Sequence, residues 1–201
     1  MNEKPRYYAG ITCEQFLFYE LRLTASLLLK KIPRDEIREK IITENLFQYP
    51  TERTVRRIIS ACFKRIDALN SNKLLNTLSD SSADIAKQIC LYAFMKQNKI
   101  VWDFMTMIIG EKFRRQEYEF TKKDMNIFFY ELQEREKTIA EWSDSTIKKI
   151  KQVLVKSITE CGYLDSVKSE ILNPVYLYPE LEDEIRAKED YEALPAFNYF
   201  I

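Results

Sequence analysis

An amphipathic helical pattern occurs twice in the chain, 92 residues apart, and it narrows the folds that the sequence can adopt. In both copies apolar residues recur every three or four positions, which is the spacing of one buried face of an α-helix. The apolar stripe consists of Val55, Ile58, Cys62, Ile66 and Leu69 in the first copy and of Ile147, Ile150, Leu154, Ile158 and Cys161 in the second. The sequence therefore predicts two similar helices, each with one face in a core.

Each copy also begins in the same way and carries a similar outward face. Thr51 and Ser143 precede the two stripes, and both residue types are favoured N-caps because the hydroxyl accepts a hydrogen bond from a first-turn N–H. An acid follows each cap, Glu52 in the first copy and Asp144 in the second. The outward positions are mainly basic or polar: Arg53, Arg56, Arg57, Ser60 and Lys64 in the first copy, and Ser145, Lys148, Lys149, Gln152 and Lys156 in the second.

Little in the rest of the chain interrupts helices. Only 3 of the 201 residues are glycine and 6 are proline, while 46% are hydrophobic and 31% are charged, a globular composition with few tight turns. We expect an all-α protein in which two helix-turn-helix-like modules are joined by a helical middle layer. Apolar spacing and capping residues predict helices at 13–31, 33–44, 51–69, 83–96, 100–115, 124–137 and 143–161. The predicted domains are an N-terminal module, 1–72, and a C-terminal domain, 73–201.

The pattern changes after Gly162, which is expected to end the second helix of the pair. Residues 163–166 and 175–178 are β-prone, and we expect them to pair as a short hairpin that forms a wing beside the second module. Seven acids near the C-terminus outnumber two basic residues there, so the rest of the chain is net basic although the formal charge is zero. These acids are Glu180, Glu182, Asp183, Glu184, Glu189, Asp190 and Glu192. An aromatic tail, 196–201, follows them.

The residue types present argue against an enzyme. The chain has no histidine, which removes the commonest general base and the commonest zinc ligand. Gly10, Gly110 and Gly162 stand alone, so neither a phosphate-binding loop nor a dinucleotide fingerprint is available. Adjacent acids such as Asp35 and Glu36 lie in charged runs that are typical of solvated helix faces. We therefore expect no catalytic residues, no metal and no cofactor.

Cysteine spacing and the N-terminal sequence indicate a cellular compartment. Cys13, Cys62, Cys90 and Cys161 lie far apart without a CxxC pair, so they are expected to be reduced. The first residues lack the basic-then-apolar layout of a signal peptide, and charged residues interrupt the longest apolar runs. We expect a cytoplasmic protein that does not contact a membrane.

The repeated pattern admits two interpretations. The simpler one is a pair of well-capped helices with solvated basic faces. However, each copy follows a helix and a short turn, which is the layout of a helix-turn-helix, and a capped N-terminus with basic side chains suits phosphate binding. Under this interpretation the DNA-binding residues are Arg53, Arg56, Arg57, Ser60, Lys64, Lys148, Lys149, Gln152 and Lys156. Of these, Ser60 and Gln152 would reach base edges in the groove.

At several positions the sequence resembles the BrxA family of BREX bacteriophage-exclusion systems. The resemblance rests on residues 44–66 (ENLFQYPTERTVRRIISACFKRI), 142–150 (WSDSTIKKI), 161–164 (CGYL), 172–174 (LNP) and 178–181 (YPEL). It implies a small helical, non-enzymatic component with helix-turn-helix modules that binds double-stranded DNA and acts beside other BREX components in phage defence. The family has also been likened to NusB-type RNA-binding antitermination factors.

Two alternatives to DNA binding stay open at this point. In the first, the protein is an interaction or scaffold subunit whose aromatic tail and middle-layer apolar residues dock another defence component. In the second, it binds RNA, which requires exposed aromatic rings on which bases stack. The candidates for such stacking are Tyr7, Tyr8, Tyr49 and Tyr118.

Overall fold

The computed structural model describes residues 7–200 and shows an all-α protein, as the sequence predicts. The α-helices of these residues are α1 (Phe18–Leu29), α2 (Arg34–Thr43), α3 (Glu52–Leu69), α4 (Asn72–Asp80), α5 (Ala83–Gln97), α6 (Lys99–Asp103), α7 (Glu111–Arg114), α8 (Lys122–Arg135), α9 (Lys137–Ala140), α10 (Asp144–Glu160) and α11 (Pro179–Ala187). Ala9–Thr12 and Tyr191–Phe197 are 3-10 helices, and Phe104–Gly110 is a π-helical segment between α6 and α7.

The described residues form two compact units. Residues 16–97 contain α1 to α5, and we call them the five-helix unit. Residues 7–15 and 98–200 form the split unit, so named because the five-helix unit separates its two segments in the chain. The domain boundary predicted at residue 72 falls inside the five-helix unit and stays a prediction.

In the five-helix unit, α1, α2 and α5 all pack against α3. The whole predicted stripe of α3 is buried, with Ile66 the most exposed of its residues at 8%. Oγ1 of Thr51 accepts a 3.3 Å hydrogen bond from the N–H of Thr54 at the helix start. The helix ends where Asn70 adopts φ 43°, a left-handed conformation that asparagine tolerates better than most residues. Local pattern and cap thus define this helix as predicted.

One charged side chain lies inside the five-helix unit. Arg65 is fully buried, its guanidinium lies 4.0 Å from the centroid of the Phe94 ring, and Nη1 donates a hydrogen bond to the backbone oxygen of Phe16. A buried cation is costly unless hydrogen bonds and polarisable groups replace water. Arg65 therefore joins the start of the unit to α3 and α5.

In the split unit, α10 repeats the construction of α3. Oγ of Ser143 accepts a 3.3 Å hydrogen bond from the N–H of Thr146, and the stripe from Ile147 to Ile158 is buried. The 3-10 helix Ala9–Thr12 packs against α10. At the other end Gly162 adopts φ +82°, and the Gly162 and Tyr163 N–H groups bond back to the last turn. Glycine accepts this conformation at little steric cost, so it ends α10 as predicted.

The C-terminal tail is part of the split unit's core. Residues 193–197 are all buried. The hydroxyl of Tyr163 donates a 2.9 Å hydrogen bond to the backbone oxygen of Ala196. Gly110 allows the tail to approach closely, because a Cβ at that position would lie 3.1 Å from both the Ala196 nitrogen and Pro195 Cβ. Ala196 and Phe197 of the tail are therefore not available for docking a partner, whereas Phe200 is exposed. The scaffold alternative stays a prediction.

The predicted β-hairpin is not confirmed. Residues 163–166 and 175–178 contain no strand, and the β-pairing found within residues 7–200 is an isolated antiparallel bridge between Glu119 and Ile171. The N–H of Asn173 bonds instead to the oxygen of Tyr163 and thereby closes a loop. β-propensity alone did not specify this pairing, because it depends on the tertiary neighbours of each segment.

The first helix begins later than its apolar pattern indicates. It was predicted to start at Cys13, but α1 starts at Phe18. Leu17 adopts φ 58° and ψ 42°, a left-handed conformation in which a right-handed helix cannot continue. The apolar residues before it still reach a core, since Phe16 is 2% exposed.

Candidate nucleic-acid interface

A groove in the split unit brings together four of the residues predicted to bind DNA. It has a volume of about 1250 Å³, and its walls include Lys148, Lys149, Gln152 and Lys156 of α10. These four side chains are exposed on the face opposite the buried stripe. Cap and apolar spacing together fix which face of α10 is turned outward. The sequence pattern thus located one wall of this groove.

The groove is strongly basic. Six lysines line it against two acids, Asp144 and Glu170. The lysines are Lys122, Lys148, Lys149, Lys151, Lys156 and Lys168. Lys156 is partly neutralised by Glu160, whose Oε1 lies 3.8 Å from its Nζ. An excess of positive charge along a concave surface attracts polyanions and raises their local concentration.

Three of the six lysines were not among the predicted residues. Lys122 belongs to the first turn of α8, and Lys168 belongs to the loop after α10. Lys151 lies on α10 but is half-buried, and burial lowers its pKa from the usual lysine value of 10.5. The 92-residue repeat carries no signal for Lys122 and Lys168, because tertiary packing brings their elements to the groove.

On the first copy, the predicted basic residues lie along α3. Arg53, Arg56, Arg57 and Lys64 are exposed, and Ser60 is half-buried. Nε of Arg56 donates a 2.7 Å hydrogen bond to Oε1 of Glu52, and Oγ of Ser60 donates a 3.0 Å hydrogen bond to the backbone oxygen of Arg56. This face is therefore less basic than its sequence suggests.

The acids beside the two caps have different surroundings. Glu52 pairs with Arg56 one turn along α3, at 2.5 Å between Oε1 and Nη2. Asp144 lines the basic groove at the start of α10. Both carboxylates lie in the first turn of a helix, where the positive end of the helix dipole stabilises their negative charge. Of these two acids, Asp144 is the one whose charge repels an anion bound in the groove.

The tyrosines considered for base stacking lie elsewhere. The hydroxyl of Tyr7 donates a 2.5 Å hydrogen bond to Asp103, and that of Tyr49 donates a 2.6 Å hydrogen bond to Glu20. Tyr8 and Tyr118 are 58% and 39% exposed. None of the four lines the basic groove, and the aromatic residue that does, Phe120, is 4% exposed. Among residues 7–200, the groove is therefore lined by no exposed aromatic ring on which a base could stack.

Two further observations concern residues 7–200 as a whole. No helix there combines the length and apolar character needed to cross a bilayer. No group of three or more Cys, Asp and Glu side chains in the same range is arranged to hold a metal ion.

These features define a class of small helical proteins in which two separate units each expose a capped basic helix, one of them in a groove. The BrxA family model matches residues 5–189. The chain is 34% identical over 192 residues to the BREX protein BrxA of Bacillus cereus (strain H3081.97), covering 94% of this chain and 95% of that one. The chain belongs to the BrxA family.

Two more distantly similar proteins also match most of the chain. The BREX protein BrxA of Escherichia coli O9:H4 (strain HS) is 26% identical over 163 residues, covering 81% of this chain and 76% of that one. A crystal structure of an uncharacterized protein from Magnetospirillum magneticum superposes with a TM-score of 0.82 at 24% identity, covering 96% of this chain and 98% of that one. The latter similarity establishes the fold alone.

Proposed function

We propose that this BrxA-family protein is a non-enzymatic, double-stranded DNA-binding component of a BREX phage-defence system. The observation that carries the proposal is the groove beside α10, where six lysines face two acids. Its partners are duplex DNA and other BREX components. Phosphate contacts dominate the binding, and sequence preference is weak.

The side chains of the groove suit phosphate better than bases. Lysine ammonium groups are compact point charges that pair with phosphate oxygens and release condensed counterions, a contribution that does not depend on sequence. Gln152 is the uncharged polar residue of the predicted set on α10, and an amide can bond to an adenine edge. With Gln15, Asn126 and Gln133, four amides line the groove against six lysines, and the charge of the lysines supports affinity more than specificity.

The face of α3 contributes a second, weaker contact. Arg53, Arg57 and Lys64 are exposed there, whereas Arg56 is engaged by Glu52. The capped start of α3 adds N–H groups that favour an anion, although Glu52 partly offsets them. We therefore assign most of the binding free energy to the groove beside α10.

Duplex binding predominates over RNA binding in this proposal. Sequence-tolerant recognition of single strands relies on exposed aromatic rings. Phe120, the aromatic residue found in the groove wall within the described part of the chain, is nearly inaccessible at 4% exposure. A competition between a labelled DNA duplex and a single-stranded RNA at fixed salt concentration should therefore show tighter binding of the duplex.

The decisive experiment is charge reversal on both faces. Fluorescence anisotropy with a labelled duplex would compare wild type with the double variant Arg57→Glu/Lys149→Glu over a series of salt concentrations. We expect weaker binding and a shallower salt dependence, since each lost phosphate contact lowers the slope of log K against log salt by about 0.9.

A matched control separates local contacts from the change in net charge. Lys30→Glu/Lys123→Glu makes the same overall charge change with one exposed residue in each unit, and neither lines the groove. The control should retain a salt slope close to that of wild type. Equal losses in the two double variants would mean that only net charge matters, and wild-type protein without duplex affinity would refute the proposed function.

A further inference from the structure

The loop after α10 carries a compact turn at residues 166–169. Ser166 and Ser169 hold it together, because the Ser169 N–H bonds to the Ser166 oxygen at 3.0 Å and the Ser166 N–H bonds to Oγ of Ser169 at 3.1 Å. Oγ of Ser166 also accepts a hydrogen bond from the N–H of Lys168 at 3.3 Å. These local bonds fix the backbone at Lys168, whose side chain is exposed at the tip.

The same loop is joined to the start of α8. Backbone hydrogen bonds of 2.7 Å run from the Phe120 N–H to the oxygen of Glu170 and from the Leu172 N–H to the oxygen of Tyr118. They flank the bridge between Glu119 and Ile171. The turn and the first residue of α8, Lys122, are thereby held in one small framework.

This framework supplies part of the groove wall. Lys122 and Lys168 both line the groove together with the basic residues of α10. The start of α8 is fixed in addition by a capping box, in which Asp124 accepts a 2.6 Å hydrogen bond from the N–H of Thr121. The two lysines therefore extend from backbone that hydrogen bonds hold on both sides.

We infer that Lys122 of α8 and Lys168 of the loop after α10 bind phosphate groups of the DNA backbone, in addition to the contacts made by α10. The inference rests on the proposed DNA binding and adds a second source of contacts to it. The short turn at residues 166–169, fixed by hydrogen bonds, thus makes the additional DNA contact that a longer β-hairpin makes in a winged protein. Glu170 follows the tip within the same wall and limits its net charge.

The test compares salt dependence among variants of the full chain with a labelled duplex. Lys122→Ala/Lys168→Ala should lower the slope of log K against log salt by about 1.8, since each lost contact accounts for about 0.9. Lys122→Arg/Lys168→Arg keeps both charges and should retain the wild-type slope. The matched control, Lys30→Ala/Lys123→Ala, removes two exposed lysines outside the groove and should leave the slope unchanged.

The outcome distinguishes this inference from the proposed function. If Lys148→Ala/Lys149→Ala lowers the salt slope but Lys122→Ala/Lys168→Ala behaves like the control, DNA binds through α10 alone and the inference is wrong. If the control lowers the slope as much as Lys122→Ala/Lys168→Ala does, the effect is one of net charge and the inference is also wrong. If the wild-type protein does not bind the duplex, the proposed function fails together with it.

Discussion

Nζ of Lys151 donates a 2.8 Å hydrogen bond to Oδ1 of Asn126 and thereby joins α10 to α8 at the basic groove. The same ammonium group lies 5.1 Å from the centroid of the Phe129 ring. Partial burial lowers the pKa of Lys151 below 10.5, because the charged form loses hydration. Lys151 thus combines a position fixed by two contacts with a lowered pKa.

Duplex affinity should respond to pH through Lys151. Because its pKa is lowered from 10.5, Lys151 loses its positive charge at a lower pH than a lysine of ordinary pKa does, and phosphate prefers the protonated form. We expect the affinity of wild type to begin falling at a lower pH than that of Lys151→Arg, whose guanidinium stays charged. Anisotropy titrations between neutral and alkaline pH measure the difference. Lys123→Arg is the control, and superimposable profiles for wild type and Lys151→Arg would contradict this assignment.

The cap of α10 should contribute measurably to stability. Ser143→Ala removes the acceptor for the N–H of Thr146 and should lower the free energy of unfolding by about 1 kcal/mol. Ser143→Asn preserves a capping acceptor and should remain close to wild type. Urea unfolding followed by circular dichroism compares the three proteins. Equal midpoints for Ser143→Ala and wild type would show that the cap is energetically silent.

Arg65 should contribute far more to the free energy of unfolding than Lys64, its neighbour in sequence. Arg65→Met removes the hydrogen bond to the Phe16 oxygen and the contact with the Phe94 ring, and it should cost about 3 kcal/mol of unfolding free energy. Lys64→Met changes an exposed position and should stay within about 0.5 kcal/mol of wild type. Urea midpoints provide the comparison. A loss for Arg65→Met no larger than that for Lys64→Met would be inconsistent with the buried guanidinium.

Two phenylalanines near the C-terminus, one buried and one exposed, allow a second comparison of stability. Phe197 is fully buried and Phe200 is 45% exposed. Phe197→Ala should cost about 3 kcal/mol or more, because it removes a large core side chain and leaves a cavity. Phe200→Ala should have a much smaller effect on the melting temperature. A tail that serves only to dock a partner would give two variants with wild-type stability.

Features encoded by neighbouring residues could be predicted from sequence. The caps Thr51 and Ser143, both apolar stripes and the stop at Gly162 depend on side chains within one or two helical turns, so their spacing is a sufficient signal. The outward positions of α3 and α10 follow from the same periodicity. The sequence therefore predicted the helical class and the outward positions of α10, which the structure places along one wall of the candidate groove.

Features that depend on distant neighbours could not be predicted in this way. Arg65 stands beside exposed Lys64, and nothing local indicates that Phe16 and Phe94 enclose its guanidinium. Lys122 and Lys168 reach the groove through backbone pairing between residues about fifty positions apart. The late start of α1 depends on the left-handed backbone of Leu17, a conformation that an apolar pattern does not reveal.

The division of the split unit into residues 7–15 and 98–200 has a consequence for synthesis on the ribosome. The five-helix unit is continuous and can fold as soon as its last helix emerges, whereas the split unit must wait for the tail that fills its core. At translation rates of about 5–20 residues per second, roughly 5–20 s separate these two events. During that interval the nascent chain can carry the folded five-helix unit between two segments of a unit whose core is still incomplete.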